Sequence, residues 1–131
     1  MNTTINTVPL ALSRAECLGL LATVTTGRLA TSRKAMPVIV PVRICLLANE
    51  VIVESLIGGA IPLSAGSVVA LEAGTIGQPS PTEWTVQVCG FLVADDRRRA
   101  NSADGVDGLR FRLSADALSG WRVGVTGSPL P

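Results

Sequence analysis

The sequence predicts a mainly β domain, a small barrel or sandwich with short flanking helices. Two observations carry that prediction. Short apolar segments rich in Val and Ile recur along the chain, separated by turns containing Gly, Pro or Asn. Only one stretch, residues 13–24, carries apolar residues at helical spacing. The 131 residues make one domain of ordinary length, with room for about seven short strands.

In chain order, residues 1–11 read as a polar, loose arm. Ser13-Arg14-Ala15-Glu16 is a capping box: the hydroxyl can accept from the amide three residues on, and the carboxylate can reach back. Cys17, Leu18, Leu20, Leu21 and Val24 then form one apolar stripe. The run Thr23-Val24-Thr25-Thr26 and Gly27 end this helix. Strands follow at 28–32 and 38–47, around a turn at 34–37, and Pro41 inside the second marks a bulge or a position needing no ladder N–H. Ala48-Asn49-Glu50 turns into a strand at 51–55, and 56–66 is a loop with at most one helical turn. Strands at 67–73 and 84–93 flank a loop with Gly77, Pro79 and Pro81. The charged segment 95–107 suits a short helix and reads as a solvated face. Strands at 109–113 and 120–125 and a flexible tail from 126 complete the chain.

Composition narrows the function. Hydrophobic residues make up 47% and aromatics 3%, with no tyrosine, so Val, Leu, Ile and Ala must build the core. The charged fraction, 16%, is too low to cover the outside of such strands, which predicts a homodimer. Net charge is +1 and Lys34 is the sole lysine, so there is no basic excess to engage nucleic acid. The absence of histidine excludes His-ligated metals and His general bases. Cys17, Cys45 and Cys89 match no metal spacing and read as small core residues in a reducing compartment. No segment has the pattern of a signal peptide or the roughly 18 apolar residues of a membrane span. The expectation is a soluble, cytoplasmic protein with no metal. No nucleophile elbow, P-loop or Cys-x-x-Cys is present, and Glu54, Glu72 and Glu83 read as exposed carboxylates at strand ends.

Several stretches in order carry a resemblance. Leu12 to Leu18 is similar to a family's opening helix, and Gly27-Arg28-Leu29-Ala30 to its first strand. Met36-Pro37-Val38-Ile39-Val40-Pro41-Val42 is similar to its Pro-x-x-x-Pro-Val strand, Val69-Ala70-Leu71-Glu72 to the next core strand, and Trp84-Thr85-Val86-Gln87-Val88-Cys89-Gly90 to its Trp-containing strand. Together, over residues 12–94, they resemble the pyridoxamine 5′-phosphate oxidase-like FMN-binding split barrels, in particular the short actinobacterial branch related to nitroimidazole reductases. That resemblance implies a split β-barrel, a homodimer, and a flavin at the dimer interface whose ring carries hydride chemistry in an oxidoreductase. It implies that the strand bearing Val38, Val40 and Val42 lies along the ring, that Ser55 holds the phosphate, and that Trp84 and Thr85 line the site.

The chain departs from the pattern where the family commonly has Gly-Thr-Lys or Ser-Arg-Lys. Here Gly58-Gly59-Ala60 stands, and Cys89 replaces a common Arg. Gly58 and Gly59 are open to two readings, an ordinary turn or a nest of amides for an anion. Arg43 is open to two as well, a solvated strand residue or the replacement cation. Losing one charge-assisted bond costs about 1.5–3 kcal/mol, so FMN is expected to bind weakly. The alternatives are a non-catalytic interaction module and a pocket for another small molecule such as a deazaflavin. Haem is disfavoured with no His and two Met.

Overall fold

The computed structural model describes residues 6–78, 82–95 and 110–126. They form nine antiparallel strands and one α-helix. In chain order these are β1 (Asn6–Ala11), α1 (Arg14–Leu21), β2 (Thr26–Arg33), β3 (Met36–Leu47), β4 (Glu50–Ser55), a single 3-10 turn (Gly58–Ala60), β5 (Val68–Gly74), β6 (Glu83–Phe91), β7 (Val93–Ala94), β8 (Arg110–Ser114) and β9 (Ala117–Thr126). The sheet runs β1-β9-β6-β5-β2-β3-β4-β8-β7. β8 and β9 are consecutive in sequence yet pair with opposite arms of the sheet, β8 with β4 and β9 with β6. The sheet therefore curls until the two-residue step Ala115-Asp116 joins its arms, giving the expected split β-barrel.

Side chains alternate across each strand, and the inward set makes the core. Leu29, Val40, Val42, Val51, Val53, Leu71, Val86, Val88 and Leu113 are fully buried. Each contributes about 1.5–3 kcal/mol of burial. Helix α1 starts as its capping box requires. The Glu16 amide donates to Ser13 Oγ (3.1 Å), and the Ser13 amide donates to Glu16 Oε1 (3.0 Å). It buries Cys17 and Leu21, and Cys17 fits because β9 has Gly120 beneath it. A Cβ there would lie 2.7 Å from Cys17 Sγ.

Several expectations are corrected. Residues 6–11 are an edge strand on β9, from Asn6↔Thr126 to Ala11↔Trp121, rather than a loose arm. Their sequence, with Pro9 in the middle, lacks the alternation that announces a strand. Helix α1 stops at Leu21, and Gly27 sits inside β2, where a Cβ would meet Glu72 O at 2.8 Å. Cys45 and Cys89 are exposed, not core, and all three cysteines are unpaired. Burial pushes the Cys17 thiol pKa up. Glu72 lies in the middle of β5, half-buried, bonded to Arg28 (3.3 Å) and Thr85 (2.9 Å). Glu54 is half-buried against Arg110 (3.3 Å). The helix expected within 95–107 and the tail beyond 126 lie outside the described residues. No described helix is long and apolar enough to cross a membrane.

A polar clasp fixes the step between β8 and β9. Arg14 at the start of α1 donates to Ala115 O (2.7 Å) and to Asn49 Oδ1. Asn49, in the β3–β4 turn, donates to Asp116 Oδ1 (2.9 Å), and the Ala115 amide donates to Asn49 O (3.0 Å). Ser114 first, and Asn49 second, hold the Asp116 carboxyl below the usual carboxylate range. Its folded pKa is depressed, so its contribution is present above the unfolded value near ~3.9 and is lost as pH falls through the folded one.

β3 outruns its partner. It pairs with β2 from Met36 to Arg43 but with β4 only from Val42 to Leu47. Backbone groups alternate between neighbours along an antiparallel strand. Ile44 donates to Thr25 O on the β2 side (2.8 Å), and Pro41 O accepts from Leu56 on the β4 side (2.9 Å). Val38, Val40 and Val42 therefore address β2, while Pro37, Ile39 and Pro41 address the β4 side. Two of those three lack an N–H, so the open edge is stripped of donors except at Ile39.

Three outcomes follow from this architecture. Arg14→Ala lowers unfolding free energy in urea by about 1–3 kcal/mol. In the β2–β3 hairpin, Lys34 (φ 50) and Ala35 (φ 62) occupy left-handed positions, so Lys34→Asn combined with Ala35→Gly raises stability by about 1–2 kcal/mol. Ile39→Pro leaves the thermal midpoint near wild type, whereas Val40→Pro costs more than about 2 kcal/mol by breaking the ladder to β2.

Candidate functional site

The open edge of β3 and the loop after β4, which meet where the Leu56 amide donates to Pro41 O (2.9 Å), form the candidate site. Ile39 there has an N–H and a C=O with no protein partner among the described residues, and its side chain is 63% exposed. The two groups point the same way, so they can meet a donor–acceptor edge such as an imide. After Ser55 the chain leaves the sheet, because the bend at Leu56 and Ile57 leads to Gly58 at φ +57. Ile57 (φ −112, ψ 13) followed by a left-handed Gly58 makes successive amides converge, the geometry of an anion nest.

Ser55 Oγ accepts from the Ile57 amide (3.1 Å) and keeps its proton free to donate. The Gly58 and Gly59 amides have no acceptor among the described residues, and nothing lies within 4 Å of where either Cβ would stand. Leu56 and Ile57 are exposed beside them and give the nest an apolar lip. The arrangement offers one peptide donor and acceptor for a heterocycle edge, then open amides and a hydroxyl for an anion.

Charge is what it lacks. Between Arg43 and Arg97 the sequence contains no Lys or Arg. Arg43 makes no ion pair among the described residues, but its side chain leaves the outer face of β3 opposite Glu54. Ser55 lies opposite the buried Val42, on the inner face. The two side chains thus start on opposite faces of the sheet.

Of the expected site residues, Ser55, Gly58 and Gly59 come together. Val38, Val40 and Val42 belong to the same strand, but their peptide groups turn to β2 and Val40 and Val42 have no exposed surface. The edge residue between them, Ile39, is the one that sequence reasoning missed. The signal was present in the spacing Pro37–Ile39–Pro41, which marks one side of the strand. Trp84 is a core residue, 5% exposed. Thr85 faces outward and donates to Glu72 Oε2. Both lie on β6, separated from β3 by β5 and β2, so within one chain they do not meet the nest. The described residues contain no cluster of His, Cys, Asp or Glu fit to hold a metal ion.

The family model described as "Pyridoxamine 5′-phosphate oxidase" matches residues 13–109. No curated protein matches the chain. Among solved structures, an FAD binding protein from Mycobacterium smegmatis is similar at 22% identity and TM-score 0.67, over 88% of this chain and 98% of that one. An FAD-binding protein from Mesorhizobium loti is similar at 18% identity and TM-score 0.66, over 91% and 99%. An FAD and heme binding protein from Mycobacterium smegmatis is similar at 16% identity and TM-score 0.65, over 92% and 88%. These likenesses carry the fold, and the match over 13–109 carries the lineage: the chain belongs to the pyridoxamine 5′-phosphate oxidase family.

Proposed function

We propose that this protein binds a flavin in the β3-edge site, as a homodimer of oxidoreductase type. The carrying observation is the pair of open groups on Ile39 at the β3 edge together with the open amides of Gly58 and Gly59 in the loop that leaves the sheet next to Pro41, in a chain of this family. The pyrimidine end of a flavin ring presents donors and acceptors on one edge, which the Ile39 peptide can meet. A bound flavin supplies hydride exchange at its ring. The protein's own share is to fix the ring against β3 and to hold the phosphate at Ser55, Gly58 and Gly59.

The nest fits a phosphate in shape but supplies no fixed cation, which supports weak FMN binding. The solved relatives are described as binding FAD. FAD adds an adenosine half whose binding does not depend on the missing lysine, so it is the stronger candidate of the two. The same missing cation also favours the rival reading, a barrel that keeps the fold as a non-catalytic interaction module.

Fluorescence titration decides among these. FAD is expected to bind more tightly than FMN, and Ala60→Lys to tighten FMN by about 1.5–3 kcal/mol, roughly tenfold to a hundredfold. Ile39→Pro, with its fold intact, is expected to weaken both flavins. Failure of either flavin to bind wild type or Ala60→Lys would leave the interaction module as the function.

A further inference from the structure

Arg110 stands at a junction beside the ligand site. It opens β8, and its side chain is mostly buried, 20% exposed. Its Nε lies 3.3 Å from Glu54 Oε1 and 3.6 Å from Asp95 Oδ2, on carboxylates that are 17% and 2% exposed. Its backbone carbonyl accepts from the Asp95 amide (2.9 Å). One residue thus joins the ends of three segments: the last β4 rung shared with β8, the first residue of β8 and the residue just beyond β7.

The placement matters because of where β4 stops being held. On the β8 side its ladder ends at Glu54, opposite Arg110, and on the β3 side it ends at Ser55, opposite Val42. Ser55 is therefore the one residue of β4 with a strand neighbour on one side only. From there the chain runs through Leu56, whose amide reaches Pro41 O, to the amides of Gly58 and Gly59. Strand ends held on one side fray. The ion pair of Arg112 with Glu50 also joins β4 and β8, but at the far end of β4. It is longer, 3.8 Å, and more exposed, 37% and 42%. The two strands are thus tied most closely at the rung next to the anion nest.

We infer that Arg110 is a positioning residue for the anion site: by clamping Glu54 it fixes the rung from which Ser55 and the Gly58 and Gly59 amides are presented. The inference rests on the proposed anion role of those groups and goes one step beyond it. Arg110 itself does not reach the anion. Its side chain leaves the outer face with Glu54, whereas Ser55 shares the inner face with Val42. Its effect is exerted in two ways. The clamp keeps β4 in register up to the residue before Ser55, so the hydroxyl and the loop amides need less ordering when an anion arrives. It also sets a positive charge against Glu54, one residue from Ser55, and so reduces the repulsion that this carboxylate exerts on a phosphate.

Fluorescence titration of FMN against riboflavin tests the inference, because the two share a ring and differ by the phosphate. Circular dichroism confirms that each variant is folded. Wild type is expected to prefer FMN. Arg110→Met is expected to weaken FMN by at least about fivefold, the scale of one or two lost hydrogen bonds, and to leave riboflavin within about twofold. Arg110→Lys keeps a cation against Glu54 and is expected to recover most of the loss. Arg112→Met removes the pair at the far end of β4 and is expected to leave both titrations at wild-type values. If Arg110→Met does not fold, Glu54→Gln carries the same test, with the same loss of FMN preference expected. An unchanged FMN preference in the folded variant overturns the inference. An equal loss of both ligands overturns it as well, since Arg110 would then hold the barrel and not the anion site. A wild type that binds the two ligands alike, or neither, overturns the anion role of the nest on which the inference rests.

Discussion

Everything in this fold depends on the step from β8 to β9. A nine-stranded antiparallel sheet left open would expose both faces and two long edges. Here the chain passes through Ala115 and Asp116 from one arm of the sheet to the other, so the sheet must close around its own inner side chains. Ala115 is fully buried at that point, leaving no slack for a wider turn. The clasp from Arg14 and Asn49 then ties three distant parts of the sequence to the same corner. Once the ring is closed, the inner Val and Leu side chains pack against one another, and among the described residues the eight-residue helix α1 covers them with Cys17 and Leu21.

The same closure explains the site. A barrel strand is normally paired on both sides, and an unpaired stretch arises only where strand lengths differ. β3 has twelve residues and β4 has six, so among the described residues half of β3 has no neighbour on one side. An exposed edge invites another strand. Pro37 and Pro41 remove two of the three donors that such a strand would need, and the turn at Gly58 carries the backbone away from the third. What remains at Ile39 is one donor and one acceptor, too little to hold a strand.

Much of this was legible in the sequence, and the misses share a cause. The strong strands, the capping box and the barrel class follow from local alternation and turn chemistry, which are properties of neighbouring residues. Pro41 already marked a position with no ladder N–H. β1 was illegible because its strand character is supplied by pairing with β9, more than a hundred residues away. Cys45 and Cys89 read as core because small apolar residues usually are, yet each occupies the outward parity of its strand. The choice of Val38, Val40 and Val42 over Ile39 has the same origin. A sequence shows that a strand alternates, but which parity faces which neighbour is fixed only by the sheet order.

That parity also accounts for the division of labour along β3. The set Val38, Val40, Val42 and Ile44 directs its side chains inward and its peptides to β2, so it holds the barrel together. The set Pro37, Ile39, Pro41 and Arg43 directs its side chains outward and its peptides to β4 or to the gap. The second set is therefore free of the core on both counts, and changes there leave the packing of the first untouched. Ile39 in this set is exposed on the outer face and carries the one open donor of this edge among the described residues. Open edge and outer face thus meet at a single position: the Ile39 peptide faces the gap beyond the end of β4, and its side chain is exposed on the outer face.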